Sequence, residues 1–133
     1  MRSDDLAVQG FGKWYPFNKS AKRRLIAALP NKPGVYAVRS CRDYSRCTGS
    51  SDILYIGSAA NYRGLKNRIG QYFSPGPTQT TNIRILGLVG DSADFEIAFA
   101  TVPSAREAKP LEASLLALYE KDHFELPPQN RRT

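Results

Sequence analysis

A tyrosine that leaves a strand and an arginine–tyrosine pair set one turn apart on the following helix are residues whose spacing could do chemistry. They lie in the stretch ILYIGSAANYRGLKNRIGQYF, residues 53–73. Residues 53–56 read as a buried strand running into Tyr55-Ile56-Gly57. A polar loop follows, and then a basic amphipathic helix over 63–73 carries Arg68 and Tyr72 on one face. Strands and helices hold side chains more rigidly than loops do, so Tyr55, Arg68 and Tyr72 can be kept in catalytic register around one point. What that point binds has to come from the rest of the chain.

Charge narrows the choice. Nineteen Lys and Arg against twelve Asp and Glu leave a net charge of +7, with a pI near 9.6. That balance favours an anionic partner, most simply nucleic acid. At 133 residues, 41% hydrophobic and 23% charged, the composition is that of a globular domain and not of a disordered chain. Such a length suits one domain that buries roughly two thirds of the surface of its unfolded form. No apolar run approaches the length of a membrane span, and MRSDDLAVQG lacks the apolar core of a secretory signal, so a cytoplasmic protein is expected, nucleoid-associated when bound to DNA. Cys41, Cys47 and the distant His123 cannot furnish four zinc ligands. The two cysteines read as reduced thiols in a loop, with a disulfide closing that short loop as the alternative, and His123 as a surface or packing residue.

The elements that must position these residues follow in order. Residues 1–17 form a leader, loose over 1–10 and aromatic over 11–17. A helix over 21–29, capped by Asn18 or Ser20, buries Leu25, Ile26 and Leu29, and its basic face of Lys19, Lys22, Arg23 and Arg24 reads as solvated, with a phosphate backbone as the alternative partner. After Pro30-Asn31-Lys32-Pro33, residues 34–38 (GVYAV) make a first core strand. A polar connection over 39–52 leads to its antiparallel neighbour at 53–56. Beyond the 63–73 helix, Ser74-Pro75-Gly76-Pro77 forces a break. A short helix over about 80–89 then buries Ile83, Leu86 and Leu88, and residues 94–102 form a third strand. Ser104 with Glu107 opens the longest helix in a capping-box pattern, Pro110 should bend or restart it, and its apolar stripe runs to about 122. The expected class is α/β of the α+β kind: a small three-stranded antiparallel sheet flanked by helices, in the order β-β-α-α-β-α with an extra N-terminal helix. The whole chain, 1–133, reads as a single domain.

GVY in the first strand, YIG in the second, an arginine on the next helix, then a later helix with a glutamate and an asparagine beside prolines, all in that order, resemble the GIY-YIG nuclease domain. The resemblance covers residues 33–130, and over 55–73 it is most like the N-terminal incision domain of the bacterial nucleotide-excision-repair endonuclease. It implies that Tyr36 and Tyr55 are the strand tyrosines of the site, Arg68 and Tyr72 its helix residues, Glu112 in PLEASL the metal ligand and Asn130 in PPQN the terminal asparagine. Substrate contacts are expected from Gly57, Ser58, Asn61, Arg63, Lys66 and Asn130. Ser58 stands where the repair enzymes usually carry lysine, and the loop over 61–65 is longer than theirs, which leaves Lys66 or Arg63 as candidates to supply the missing charge.

The implied activity is a DNA endonuclease with Mg²⁺ or Mn²⁺ as cofactor, in repair or against branched or foreign DNA. Phosphodiester hydrolysis needs a deprotonated water, stabilised charge on the phosphoryl oxygens and help for the leaving oxygen. Glu112 can hold one hard divalent ion, with Glu120 two turns on as a reserve ligand. Arg68 suits the phosphoryl oxygens through its planar fork, and Tyr36 is the expected base or water-orienting group with Tyr55 as its partner. Two other functions stay open: a DNA-binding module or subunit on the same fold that has lost turnover, and an RNA-directed nuclease. The oligomeric state is open, a dimer included.

Overall fold

A computed structural model describes residues 1–61 and 63–131. The sheet is antiparallel with four strands in the order β1-β4-β2-β3. These are β1 (Tyr15–Pro16), β2 (Gly34–Ser45), β3 (Ser50–Ala59) and β4 (Phe95–Thr101). The helices are α1 (Lys22–Ala28), α2 (Gly64–Gly70), α3 (Thr80–Val89) and α4 (Ala108–His123). Among the described residues, no helix is long and apolar enough to cross a membrane.

The α+β class and the antiparallel sheet are as expected, but the strand count is four and not three. The extra strand comes from the aromatic leader, where Tyr15 lies opposite Ile97 and Pro16 opposite Glu96. Two residues carry no periodicity to read, and Pro16, which has no N–H to donate, is tolerated because β1 is an edge strand. Nor is the N-terminal segment loose. Ser3–Gln9 form a 3₁₀ helix that ends at Gly10 with φ +91° and seats Leu6 fully inside.

Side chains alternate across the sheet, so it builds two cores. On one face Tyr36, Val38 and Ile97 pack with Phe17, Leu25, Leu65, Ile69, Tyr72 and Ile85, beneath α1, α2 and α3. On the other, Val35, Ala37, Ile53, Ile56 and Ala98 pack with Leu6, Phe11, Leu115, Leu116 and Tyr119, beneath α4 and the N-terminal 3₁₀ helix. The connection expected over 39–52 is largely strand. β2 and β3 continue the hairpin, and the register skips at Leu54, between the pairs Val38–Tyr55 and Arg39–Ile53. Before this bulge the regular pairs Tyr36–Gly57 and Val38–Tyr55 put Tyr55 and Gly57 on the same face as Tyr36.

Two helix faces differ from expectation. On α3 the buried residues are Asn82, Ile85 and Val89, whereas Ile83 and Leu88 are each 45% exposed. Residues 83–89 are apolar enough to offer two stripes, and sheet contact selects the one through Ile85. α2 has seven residues, shorter than the 63–73 expected, because Gln71 to Phe73 close it in turn conformation. α4 restarts as expected: a 3₁₀ turn over Ala105–Glu107 precedes it, and Pro110 falls in its first turn, where no N–H is needed. Asn18 caps the first turn, its Oδ1 accepting from Ala21 N at 2.9 Å.

Candidate active site

Tyr36 lies directly opposite Gly57 across the β2–β3 ladder, and Tyr55 lies opposite Val38. The glycine is a steric requirement. A Cβ at position 57 would stand 2.7 Å from Tyr36 Cζ, Tyr36 Oη and Tyr55 Cε2. Its absence lets the two rings converge to 6.2 Å between centroids. Tyr72, just past α2, meets Tyr36 edge-on at 6.0 Å, and the two hydroxyls share a hydrogen bond of 2.7 Å. Both tyrosines are fully buried. The Arg68 guanidinium lies 5.8 Å from the centre of the Tyr72 ring and donates from Nη1 to Gln71 Oε1 at 3.3 Å. Four of the expected residues therefore converge on one corner of the sheet.

Glu112 comes from the opposite layer. It shares the sheet-facing stripe of α4 with Leu115, Leu116 and Tyr119, at helical spacings of three, four and seven. Its negative charge adds to the rise of the phenols at both Tyr36 and Tyr55. Burial is the main force on the phenols. It pushes Tyr36, Tyr55 and Tyr72 upward, with Glu112 adding to the rise at Tyr36 and Tyr55 and the Arg68 charge opposing it at all three. The tyrosines consequently hold their protons at neutral pH and present O–H donors. Burial opposes the charge of Arg68, yet it stays raised and is a permanent cation.

The donor set can be tested against a metal. Glu112 is half-buried and has no hydrogen-bond or ion-pair partner among the described residues. No group of three or more His, Cys, Asp or Glu gathers among them. One unengaged carboxylate fits Mg²⁺ or Mn²⁺, which keep most of their shell in water and phosphate oxygens, and does not fit zinc.

The remaining expected residues fall elsewhere. Asn61 is engaged at the start of α2, its Oδ1 accepting from Arg63 N at 3.0 Å and Gly64 N at 3.1 Å. Ser58 pairs with Val35 and so faces the α4 layer, where its Oγ is buried without a partner. Arg63 and Lys66 lie on the other side of the sheet, beside Asn67 and Asn31. Asn130 spends its whole amide on Ile56, accepting from N at 3.0 Å and donating to O at 2.9 Å. It thereby closes the outer edge of β3 beside Tyr55 and Gly57. Glu120 is exposed. His123 is a packing residue and not a surface one, 5% exposed, with Nδ1 2.7 Å from Thr48 O. Cys41 and Cys47 are exposed free thiols.

The chain is similar to UvrABC system protein C. It is 32% identical to the protein of that name from Clostridium tetani over 94 residues, 71% of this chain and 13% of that protein. It is 34% identical to the Gloeobacter violaceus protein over 95 residues and 33% identical to that of Pediococcus pentosaceus over 95 residues, with the same coverage of 71% and 13%. This chain therefore spans about one eighth of the length of the UvrABC system protein C sequences it matches. No family model and no solved structure matches it. The resemblance read from GVY and YIG to the bacterial repair endonuclease is borne out.

Two contributors escape sequence reasoning. Arg84 of α3 donates from Nε to Gln129 Oε1 at 2.5 Å and from Nη2 to Gln129 O at 2.8 Å, and its charge lowers Tyr55. It is the lone cation of an otherwise uncharged helix, TTNIRILGLV, which is the signal that could have marked it. Gln71 bridges Arg68 to Gln79, whose Nε2 donates to Gln71 Oε1 at 3.2 Å, and carries no comparable mark.

Proposed function

We propose that the chain is a metal-dependent DNA endonuclease that hydrolyses phosphodiester bonds at the corner formed by Tyr36, Tyr55, Arg68, Tyr72 and Glu112. The observation that carries this reading is the convergence of Tyr36, Tyr55 and Tyr72 with the permanent cation Arg68 beside them, while Glu112 on α4 is an unengaged carboxylate. Similarity to UvrABC system protein C supports a DNA-directed, repair-type activity.

Arg68 pairs with the phosphoryl oxygens and offsets the charge that grows on them. Tyr55, partly open to solvent, takes the water-orienting role expected of Tyr36, which is fully buried, and donates to the phosphate. Tyr36, locked to Tyr72, fixes the position of Tyr55 from behind. Glu112 would hold Mg²⁺ or Mn²⁺, which when bound supplies Lewis-acid polarisation of the phosphate and lowers the pKa of coordinated water. Asn130 and Gln129 act as positioning residues by pinning the edge of β3.

The test is cleavage of supercoiled plasmid and branched oligonucleotides with Mg²⁺ or Mn²⁺ beside Glu112→Ala. The expected outcome is metal-dependent nicking by the parent and a loss of at least about 100-fold in the variant. Duplex binding without metal-dependent cutting by the parent overturns the enzymatic reading and leaves a binding module.

A further inference from the structure

A second feature lies on the outer side of α2. Between the 30–33 turn and α2 lies a cavity of about 490 Å³ lined by Asn31, Arg63, Lys66 and Asn67. Two side chains are cationic, two are amides that can donate, and none is acidic. Arg63, Lys66 and Asn67 recur at helical spacing, so they share one face of α2. Leu65 and Ile69 point into the core from the opposite face.

The walls are fixed by the backbone. Leu65 N donates to Lys32 O at 2.9 Å and Lys66 N to Pro30 O at 3.1 Å. Gly64, at φ +70°, lets the two segments touch, since a Cβ there would stand 2.4 Å from Lys32 N. These bonds also consume N–H groups of the first turn of α2. The start of the helix is thus not the anion-binding element, and recognition has to come from the four side chains.

We infer that this cavity holds a backbone phosphate of bound duplex DNA, separate from the phosphate at the tyrosine corner. The inference rests on the proposed DNA-directed activity and adds a second point of contact for the substrate. Arg68 sits on the same two-turn helix but projects from nearly the opposite side to Arg63 and Lys66, so α2 offers one side to the reacting phosphate and the other to a separate contact. Cations in an acid-free cavity select an anion, and amide donors beside them suit phosphate oxygens. Ser58, facing α4, cannot contribute here, so the cation missing after YIG has its counterpart in a different place, on the α2 side of the sheet.

The experiment uses the full chain and a 20-base-pair duplex in EDTA, so that binding is read without cutting. Lys66→Ala is expected to weaken binding roughly five- to tenfold and to reduce the slope of log K against log salt by about one. Asn67→Asp, nearly isosteric, is expected to weaken binding further than Asn67→Ala. Lys109→Ala, on α4, is the control expected to leave the slope unchanged. Equal slopes for the parent, Lys66→Ala and Lys109→Ala overturn the inference. So does a duplex affinity that inorganic phosphate abolishes at millimolar concentration and fixed ionic strength, which marks a free-anion site. Cutting with an unchanged Lys66→Ala slope removes the cavity and keeps the nuclease. A reduced slope in a protein that never cuts keeps the cavity as a DNA contact and removes the nuclease. Absence of duplex binding removes both.

Discussion

Replacing Gly57 with alanine adds one carbon at the most crowded point of the site. The new Cβ would stand 2.7 Å from Tyr36 Cζ and Oη and from Tyr55 Cε2, and Tyr36 has no exposed surface toward which to retreat. Overpacking of this kind costs about 1–3 kcal/mol. If the Tyr36 ring swings aside, its 2.7 Å bond to Tyr72 breaks and strands a buried hydroxyl, for about another 1–2 kcal/mol. The expected sum is about 3 kcal/mol, read as a lowered urea midpoint at unchanged m and a fall in Tm of roughly 10 °C. Nicking should fall with it even well below the new Tm, because Tyr55 is displaced as well. Gly87→Ala is the internal control: a Cβ there meets nothing within 4 Å, and its position inside α3 predicts a gain of about 0.5–1 kcal/mol. A Gly57→Ala protein within about 0.5 kcal/mol of the parent would refute the steric account of this glycine.

Tyr36→Phe leaves the Tyr72 hydroxyl buried and unpaired, so a loss of about 1–2 kcal/mol is expected. The double Phe variant should lose less than the sum of the singles, and a double-mutant cycle by urea melts shows otherwise if the bond is idle. Tyr36, Tyr55, Tyr72 and Tyr119 are all raised, chiefly by burial. The stability they carry is therefore intact below their unfolded pKa of about 10 and is lost as pH climbs through and above it. Absorbance at 295 nm should show these phenols ionising only with alkaline unfolding, and a single reversible step for all seven tyrosines in folded protein contradicts the burial argument. Asn130→Ala removes both bonds to Ile56, at about 1–3 kcal/mol. Hydrogen exchange should locate the loss at the Ile56 amide, and unchanged protection there rules out the edge-pinning role.

The tyrosine corner was legible because it is built from short-range order. GVY and YIG specify two adjacent strands, and the period-two alternation that puts Tyr36 and Val38 on one face also decides which residues of β3 can meet them. Pro110 and Asn18 announce helix boundaries through local chemistry, which needs no tertiary information. β1 was not legible, because Tyr15 and Pro16 are a strand only by virtue of pairing with β4. The α3 face was misread because propensity cannot choose between two apolar stripes, and packing on Tyr36 and Tyr72 does. Arg84 and Gln129 met for the same kind of reason: their bond joins residues 45 apart, and nothing local announces it.

The largest fully buried side chains of the molecule are Tyr36, Tyr72 and Tyr119, so two of the five residues in the proposed site are also pillars of the fold. Selection for folding alone will therefore preserve Tyr36 and Tyr72 in a descendant that has ceased to turn over. Arg68 and Glu112, partly exposed and contributing little to the two cores, are free to drift once activity no longer matters. In chains of this architecture the cation and the carboxylate, and not the tyrosines that name the motif, are the informative markers of a working enzyme.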